Sequence, residues 1–174
     1  ASLFRNCLII SFLSVPFVAA AKDVTLTPSI TVAGAYDDNT TFARTDEISD
    51  YLGIFSPALK LDYASDLFKM SGSGRVDFLR YAQENDLDYE RQFYELNGDY
   101  RFAERWQFSG DLAYTQDTTL DSELEETGIV FERRDRERFN AGADLSYQVS
   151  ELSTLGVNYD YSKTDYDEEG LEDY

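Results

Sequence analysis

Residues 139–166 read FNAGADLSYQVSELSTLGVNYDYSKTDY, and they contain two runs in which apolar and polar side chains alternate. The apolar positions of the first run are Phe139, Ala141, Ala143, Leu145, Tyr147 and Val149, and those of the second are Leu155, Val157, Tyr159 and Tyr161. A period of two predicts β-strands with one apolar and one polar face. The break at Ser150-Glu151-Leu152 predicts a short turn, so the two runs are expected to form a β-hairpin.

The same pattern recurs along the rest of the chain. It predicts seven strands at about Val24–Tyr36, Tyr51–Tyr63, Phe68–Phe78, Arg91–Phe102, Trp106–Thr115, Arg138–Val149 and Leu155–Ser162. The breaks after the second, fourth and sixth strands are short, whereas those after the first, third and fifth are long. Folding the second hairpin about its turn is expected to place Asp62 opposite Lys69. A change of parity upstream of Phe93 predicts a bulge or a loop boundary there.

Long strands joined by alternating short and long connections are typical of outer-membrane barrels. The sequence therefore predicts an all-β fold, an antiparallel up-and-down transmembrane β-barrel with its short turns in the periplasm and its long loops outside the cell. About seven strands are predicted, and bacterial barrels close with an even number, so we expect the N-terminal part of a longer barrel. The alternative is a soluble antiparallel sheet, although soluble strands usually have only about five or six residues.

Aromatic residues fall at both ends of the predicted strands. Beside the long loops lie Tyr36, Tyr51, Phe78, Tyr94, Tyr114, Phe139 and Tyr161. Beside the short turns lie Tyr63, Phe68, Phe102, Trp106 and Tyr147. Two such bands are typical of the aromatic girdles at the two interfaces of a membrane barrel.

The first 21 residues have the features of a secretory signal peptide. Arg5 supplies a positive charge, residues 7–18 are mostly apolar, and Ala19-Ala20-Ala21 offers a small-residue cleavage site. An uncleaved N-terminal anchor is the alternative, but the apolar stretch is short and Pro16 interrupts it. We therefore predict a cleaved signal peptide at 1–21, a barrel portion at 22–174 and a location in the Gram-negative outer membrane.

Composition narrows the possible chemistry. The chain has no His, and its one Cys lies in the predicted signal peptide, so His- or Cys-ligated zinc sites and Ser-His or Cys-His nucleophiles are excluded in this portion. The formal charge of −19 disfavours binding to nucleic-acid phosphates. We expect no catalytic residues, no cofactor and no dedicated metal ion, and hence not an enzyme. An enzyme would need His or Ser machinery in a segment outside this portion.

Charged residues occupy the polar side of the predicted strands. The candidate lumen-lining residues are Lys60, Asp62, Lys69, Arg75, Asp77, Asp99, Arg101, Asp111, Asp144 and Asp160. This mixed-charge wall fits either an open aqueous pore or a filled interior.

Two further acidic segments lie in predicted loops. Asp121, Glu123, Glu125 and Glu126 precede Arg133, Arg134, Arg136 and Arg138, a pattern that fits either a ligand-binding lid or a solvated loop whose charges pair locally. The run from Asp165 to Gly170 has the opening spacing of a calcium loop but lacks its flanking helices. Diffuse binding of divalent cations by the acidic loops is the favoured interpretation.

The unit at 139–166 resembles the strand–turn–strand repeat of proteobacterial outer-membrane β-barrel porins, and Tyr100-Arg-Phe-Ala-Glu-Arg-Trp106 resembles the periplasmic turn of the same family. Some proteins of this kind are encoded with exopolysaccharide systems. The resemblance implies a porin-like passive channel for small solutes or exported material, with lipid, lipopolysaccharide and the barrel-insertion machinery as partners. The alternative is a structural or surface-interaction barrel with a filled lumen, with a link to polysaccharide export as a further hypothesis.

Overall fold

The computed structural model describes residues 10–12, 19–21, 23–38, 40, 48–118 and 135–166. Seven long strands account for most of them: β3 (Val24–Asp37), β4 (Asp50–Ala64), β5 (Phe68–Tyr81), β6 (Tyr89–Ala103), β7 (Trp106–Thr118), β8 (Asp135–Ser150) and β9 (Ser153–Tyr166). Two three-residue strands precede them, β1 (Ile10–Phe12) and β2 (Ala19–Ala21). A 3₁₀ turn at Asn85–Leu87 lies between β5 and β6.

The strands form one antiparallel up-and-down sheet. From β3 to β9 each strand pairs with the next along the chain, so the predicted all-β meander of seven strands is confirmed. The sheet is not closed, because among the described strands β9 pairs with β8 alone. The other edge of β3 carries only the backbones of β1 and β2. Cleavage of the segment that contains β1 and β2 remains a prediction.

Most strands extend further toward the long connections than the alternation predicted. β7 continues to Thr118 and β8 begins at Asp135, which shortens the predicted loop at 117–137 from both ends. The additional residues are mainly charged, and their charges pair across the strands. A charged stretch that is typical of a loop can therefore belong to paired strands here.

The prediction that Asp62 faces Lys69 is wrong. The backbone N–H of Ser65 donates to the carbonyl of Phe68 at 2.8 Å, which leaves a two-residue turn at 66–67. That turn sets a register in which Asp62 lies opposite Ser71, two positions away from the expected pairing. Asp62 instead forms an ion pair with Lys60 on its own strand, with 3.1 Å between Lys60 Nζ and Asp62 Oδ2.

The predicted bulge or loop boundary near Phe93 is also wrong. β6 runs back to Tyr89 with an unbroken register, and Phe93 pairs with Arg75 on one side and Thr115 on the other. Leu87 lies in the 3₁₀ turn before the strand, and Tyr89 and Phe93 are aromatic residues on the polar face, so the change of parity does not interrupt the ladder. The Arg75 guanidinium lies 4.3 Å from the centre of the Phe93 ring, so a cation–π contact accommodates that ring there.

All seven long strands keep most of their apolar side chains on one face of the sheet. The cross-strand partners Leu26 and Leu61, Val32 and Phe55, and Leu96 and Leu112 show this register. Large hydrophobic side chains on this face are exposed, whereas Leu79 is the only buried hydrophobic residue in the described part of the chain. The described strands therefore form a single layer whose apolar face packs against no other described part of the chain.

Candidate functional site

A continuous aromatic band crosses the apolar face at the short-turn end of the sheet. Neighbouring ring centroids lie 4.7–6.2 Å apart along the series Tyr63, Phe68, Tyr100, Phe102, Trp106 and Tyr147. Five of these residues were predicted as girdle residues from their place beside short turns. Tyr100 was not, because its sequence position is two residues farther from the turn. The cross-strand pairing of Tyr100 with Phe68 brings it into the band.

A second aromatic band lies at the long-loop end of the same face. It consists of the ring pairs Tyr36–Tyr51, Phe55–Phe78, Tyr94–Tyr114 and Phe139–Tyr161, with centroids 5.1–6.2 Å apart. Every residue that the sequence assigned to this end is present in it. The structure thus brings the predicted girdle residues together as two bands on one face.

The spacing of the bands suits a bilayer. On β5 the bands are marked by Phe68 and Phe78, and the intervening residues span about 33 Å along a strand at ~3.3 Å per residue. Strands in membrane barrels tilt by about 35–45°, which reduces that length to roughly 25 Å along the membrane normal. This equals the height of the apolar band of outer-membrane barrels.

The opposite face carries all ten predicted lumen residues. They are distributed over six adjacent strands, with Lys60 and Asp62 on β4, Lys69, Arg75 and Asp77 on β5, Asp99 and Arg101 on β6, Asp111 on β7, Asp144 on β8 and Asp160 on β9. The structure therefore places them on one surface, here called the polar face. Its cations lie mainly on β4–β6, and its unpaired carboxylates lie mainly on β6–β9.

The polar face carries two charged clusters near the long loops. In each of them, one aspartate contacts two arginines. Asp77, only 3% exposed, lies 3.1 Å from the guanidinium groups of Arg75 and Arg91. Asp117 accepts two hydrogen bonds from Arg136, at 2.9 and 2.8 Å, and one from Arg138 at 2.9 Å. The sequence assigned Asp117 and Arg136 to a loop because they border a charged run that is typical of one, whereas it placed Arg138 at the start of the sixth strand.

Hydrogen bonding to Asp117 raises the pKa of Arg136 above its ordinary value, and the partial burial of Arg136 opposes this effect only in part. The guanidinium therefore stays charged over the whole accessible pH range and supplies a permanent cation to this contact. It lies beyond Phe139, outside the apolar band.

The middle of the polar face between β6 and β9 is an acidic depression of about 260 Å³. The carboxylates of Asp99, Asp111, Asp144 and Asp160 line it. The Asp111 carboxylate lies directly over Gly142, so a side chain at that position would displace it. Within the described part of the chain, no three acidic side chains converge closely enough to hold a metal ion.

Asp50 anchors the connection between β5 and β6. Its carboxylate accepts hydrogen bonds from the backbone N–H groups of Gln83 and Glu84, both at 2.9 Å, and from that of Tyr51 at 2.7 Å. The side chain of Asp50 is buried at the long-loop end of β4. These N–H donors, led by that of Glu84, lower the pKa of Asp50.

We expect this anchor to fail only in acid. A lowered pKa means that the bound carboxylate stabilises the connection at every pH above the ordinary aspartate value of about 3.9. That contribution is lost as the pH falls below this value and through the lowered pKa of Asp50. Amide hydrogen exchange at Gln83 and Glu84, corrected for intrinsic rates, should show constant protection from pH 7 to about pH 4 and weaker protection below it.

The variant Asp50→Ala serves as the control for this prediction. It should show weak protection at Gln83 and Glu84 throughout the range, because it lacks the acceptor oxygens. Equal protection in the variant and the native protein would show that the carboxylate does not hold the connection.

Some predicted features lie outside the described residues: the acidic run 121–126 with Arg133 and Arg134, and the calcium-like run beyond Tyr166. In the part of the chain that the structure covers, no helix is both long and apolar enough to span a membrane. Comparison with protein-family models, curated proteins and solved structures found no match for this chain.

Proposed function

We propose that this chain forms the wall of an outer-membrane β-barrel that acts as a porin-like passive channel. The observation that carries the proposal is an exposed apolar face bounded by two aromatic bands, set against an opposite face rich in charge. Lipid is the environment that matches the first face, and water matches the second.

Exposure of the apolar face favours lipid over a soluble sheet. Side chains such as Ile30, Leu59 and Val157 remain roughly half to three-quarters exposed. Each large apolar side chain left in water forgoes about 1.5–3 kcal/mol of burial. A contiguous surface of this extent on a soluble protein would be an aggregation site unless it were covered. Contact with the acyl chains of lipids covers this apolar surface without a second protein layer.

Strand direction constrains how the barrel closes. Successive strands alternate in direction, so β3 and β9 run the same way. Lipid does not tolerate the unpaired backbone groups of an open sheet edge. Closure with antiparallel pairing throughout therefore requires an odd number of additional strands between β9 and β3. Export by the predicted signal peptide and membrane insertion by the barrel-insertion machinery belong to the same proposal.

The interior inferred from this arrangement suits small hydrophilic solutes. Its wall presents hydroxyl, amide, cationic and anionic groups along the paired strands. Passive diffusion requires only a hydrated path, and such a wall provides one.

A second function is favoured by one observation. On the polar face near the long loops, Ser56, Asp77, Leu79, Asp117 and Arg136 are all buried. Buried ion pairs at the mouth would restrict a pore, as expected for a structural or surface-interaction barrel with a filled lumen.

Planar-bilayer recording of the full-length protein separates the two candidates. A channel should give stepwise conductance that scales with salt concentration. Heat-modifiable migration on electrophoresis, measured on the same sample, establishes that the barrel has folded. A folded, inserted barrel without conductance would exclude the channel and support the filled barrel. Failure to insert into bilayers at all would exclude both.

A further inference from the structure

A small pocket lies on the polar face at the short-turn end of the sheet. Its lining residues come from the turn before β5 and from β5, β6 and β7, and they are Asp66, Leu67, Lys69, Asp99, Arg101 and Gln107. Four of the six are charged, two positively and two negatively. The volume is about 190 Å³, below the ~300–1,000 Å³ of clefts that hold drug-sized ligands, so the pocket suits a small molecule.

The charges around the pocket alternate in sign. Lys69 lies directly opposite Asp99 in the β5–β6 ladder, and Arg101 is two residues farther along β6. The backbone N–H of Arg101 donates to the carbonyl of Leu67 at 2.8 Å, which brings Arg101 beside the turn that contains Asp66. Each of the two cations therefore has an acidic residue on either side.

These charges do not neutralise one another. Within the described part of the chain, none of the four charged side chains forms an ion pair. The Asp99 carboxylate is bound on the β7 side instead, because Ser109 Oγ donates to it at 2.8 Å and Gln107 Nε2 donates to it at 3.5 Å. Two cations and two carboxylates thus line one small space with their charges separated.

We propose that this pocket binds a small zwitterion that carries an ammonium and a carboxylate group on one short skeleton, such as a free amino acid. The ligand carboxylate accepts hydrogen bonds from Lys69 and Arg101, and the ligand ammonium group donates to Asp66 and Asp99. Hydrogen bonds of this kind, between ionised groups, are about twice as strong as those between neutral groups. A solute with a single charge is attracted by one pair of side chains and repelled by the other.

The inference rests on the proposed function, because the polar face is a path for solutes only as the wall of a barrel lumen. Short turns lie at the periplasmic end of outer-membrane barrels, which places the pocket at the periplasmic mouth. The pocket therefore gives the proposed channel a preference for small zwitterions over solutes of similar size with a single charge.

Saturation-transfer difference NMR on the full-length protein, folded in deuterated detergent micelles, tests this binding. The probes are alanine, alaninamide, which lacks the carboxylate, and N-acetylalanine, which lacks the ammonium group. The methyl signal of the alanine side chain is measured for each probe. We expect saturation transfer to alanine to exceed that to either analogue by roughly fivefold, because each analogue loses charge-assisted hydrogen bonds.

A pair of arginine variants locates the binding. Arg101→Gln removes one of the two cations that hold the carboxylate, and it should lower the alanine signal by roughly fivefold. Arg105→Gln is the matched control, because Arg105 lies at the same end of the sheet, also forms no ion pair with a described residue and does not line the pocket. It should give the native signal. Lys69→Gln replaces Arg101→Gln if heat-modifiable migration shows that the latter does not fold.

Three outcomes would overturn the inference. They are equal alanine signals in the native protein and Arg101→Gln, an equal loss in Arg105→Gln, and saturation transfer to either analogue as strong as that to alanine. Conductance is measured on the same preparations. A folded, conducting barrel that does not bind alanine removes this inference alone, whereas a protein that never folds or inserts removes the proposed function as well.

Discussion

Leu59→Arg should destabilise the folded protein in lipid vesicles by about 2–4 kcal/mol. Leu59 lies on the apolar face of β4, opposite Pro28 and Gly74 and between the two aromatic bands. At that depth a guanidinium would have to leave water for hydrocarbon or distort the bilayer to reach its surface. Equilibrium unfolding in urea, monitored by the fluorescence of the single Trp106, measures the change.

The prediction separates a membrane wall from a soluble sheet because Leu59 is already 49% exposed. In a water-soluble sheet, an arginine at such a surface position would change the free energy of unfolding by no more than about 0.5 kcal/mol. Ser73→Arg is the control: Ser73 is an exposed residue of the polar face between Glu95 and Lys60, so the new cation stays in water and its two charged neighbours have opposite signs. Equal effects of the two substitutions would contradict the assignment of the faces.

Periodicity was sufficient to predict the seven strands and the assignment of side chains to faces. A period of two is a local property, and each strand from Leu26 to Tyr161 keeps it over enough residues to be read without knowledge of its partners. Aromatic rings at strand ends likewise need only the strand boundaries. For this reason the predicted girdle residues all appear on one face.

Register and strand ends could not be predicted in the same way. The pairing of Asp62 depends on whether the two-residue turn falls at 65–66 or at 66–67, a difference that the hydrogen bond between Ser65 and Phe68 decides. Phe93 appeared to break the pattern because the group that contacts its ring on the polar face, the Arg75 guanidinium, lies on another strand. Long-range partners of this kind leave no local signal in the sequence.

For the polar face, too, the sequence predicted some features and not others. Alternation assigned Asp111 and Asp144 to the polar face, but not the depression that they share across β7 and β8. A groove on the apolar face likewise depends on two glycines, Gly34 and Gly53. They are 19 residues apart in the chain and come face to face only in the paired strands. A cavity forms where neighbouring strands lack large side chains at adjacent positions. The sequence of a single strand does not reveal which residues lie beside it.

The second large effect is expected at a strand end that sequence alone had assigned to a loop. Asp117→Leu should lower the free energy of unfolding by about 3–5 kcal/mol, because it leaves a buried guanidinium without a counter-ion. Asp117 is 7% exposed and Arg136 is 8% exposed, so water cannot replace the lost carboxylate. The same urea unfolding assay measures the loss.

Two comparisons identify the uncompensated charge as the cause. Lys60→Gln breaks an ion pair whose side chains are 59% and 42% exposed, and it should cost less than about 1 kcal/mol. The triple variant Asp117→Leu/Arg136→Met/Arg138→Met removes the whole cluster and should recover most of the stability lost in Asp117→Leu, since apolar groups of similar volume replace buried ion pairs at little cost. A triple variant as unstable as the single one would mean that Asp117 acts through the shape of the β7–β8 ladder. Recovery would show that the loss in Asp117→Leu comes from the guanidinium charges left without a counter-ion.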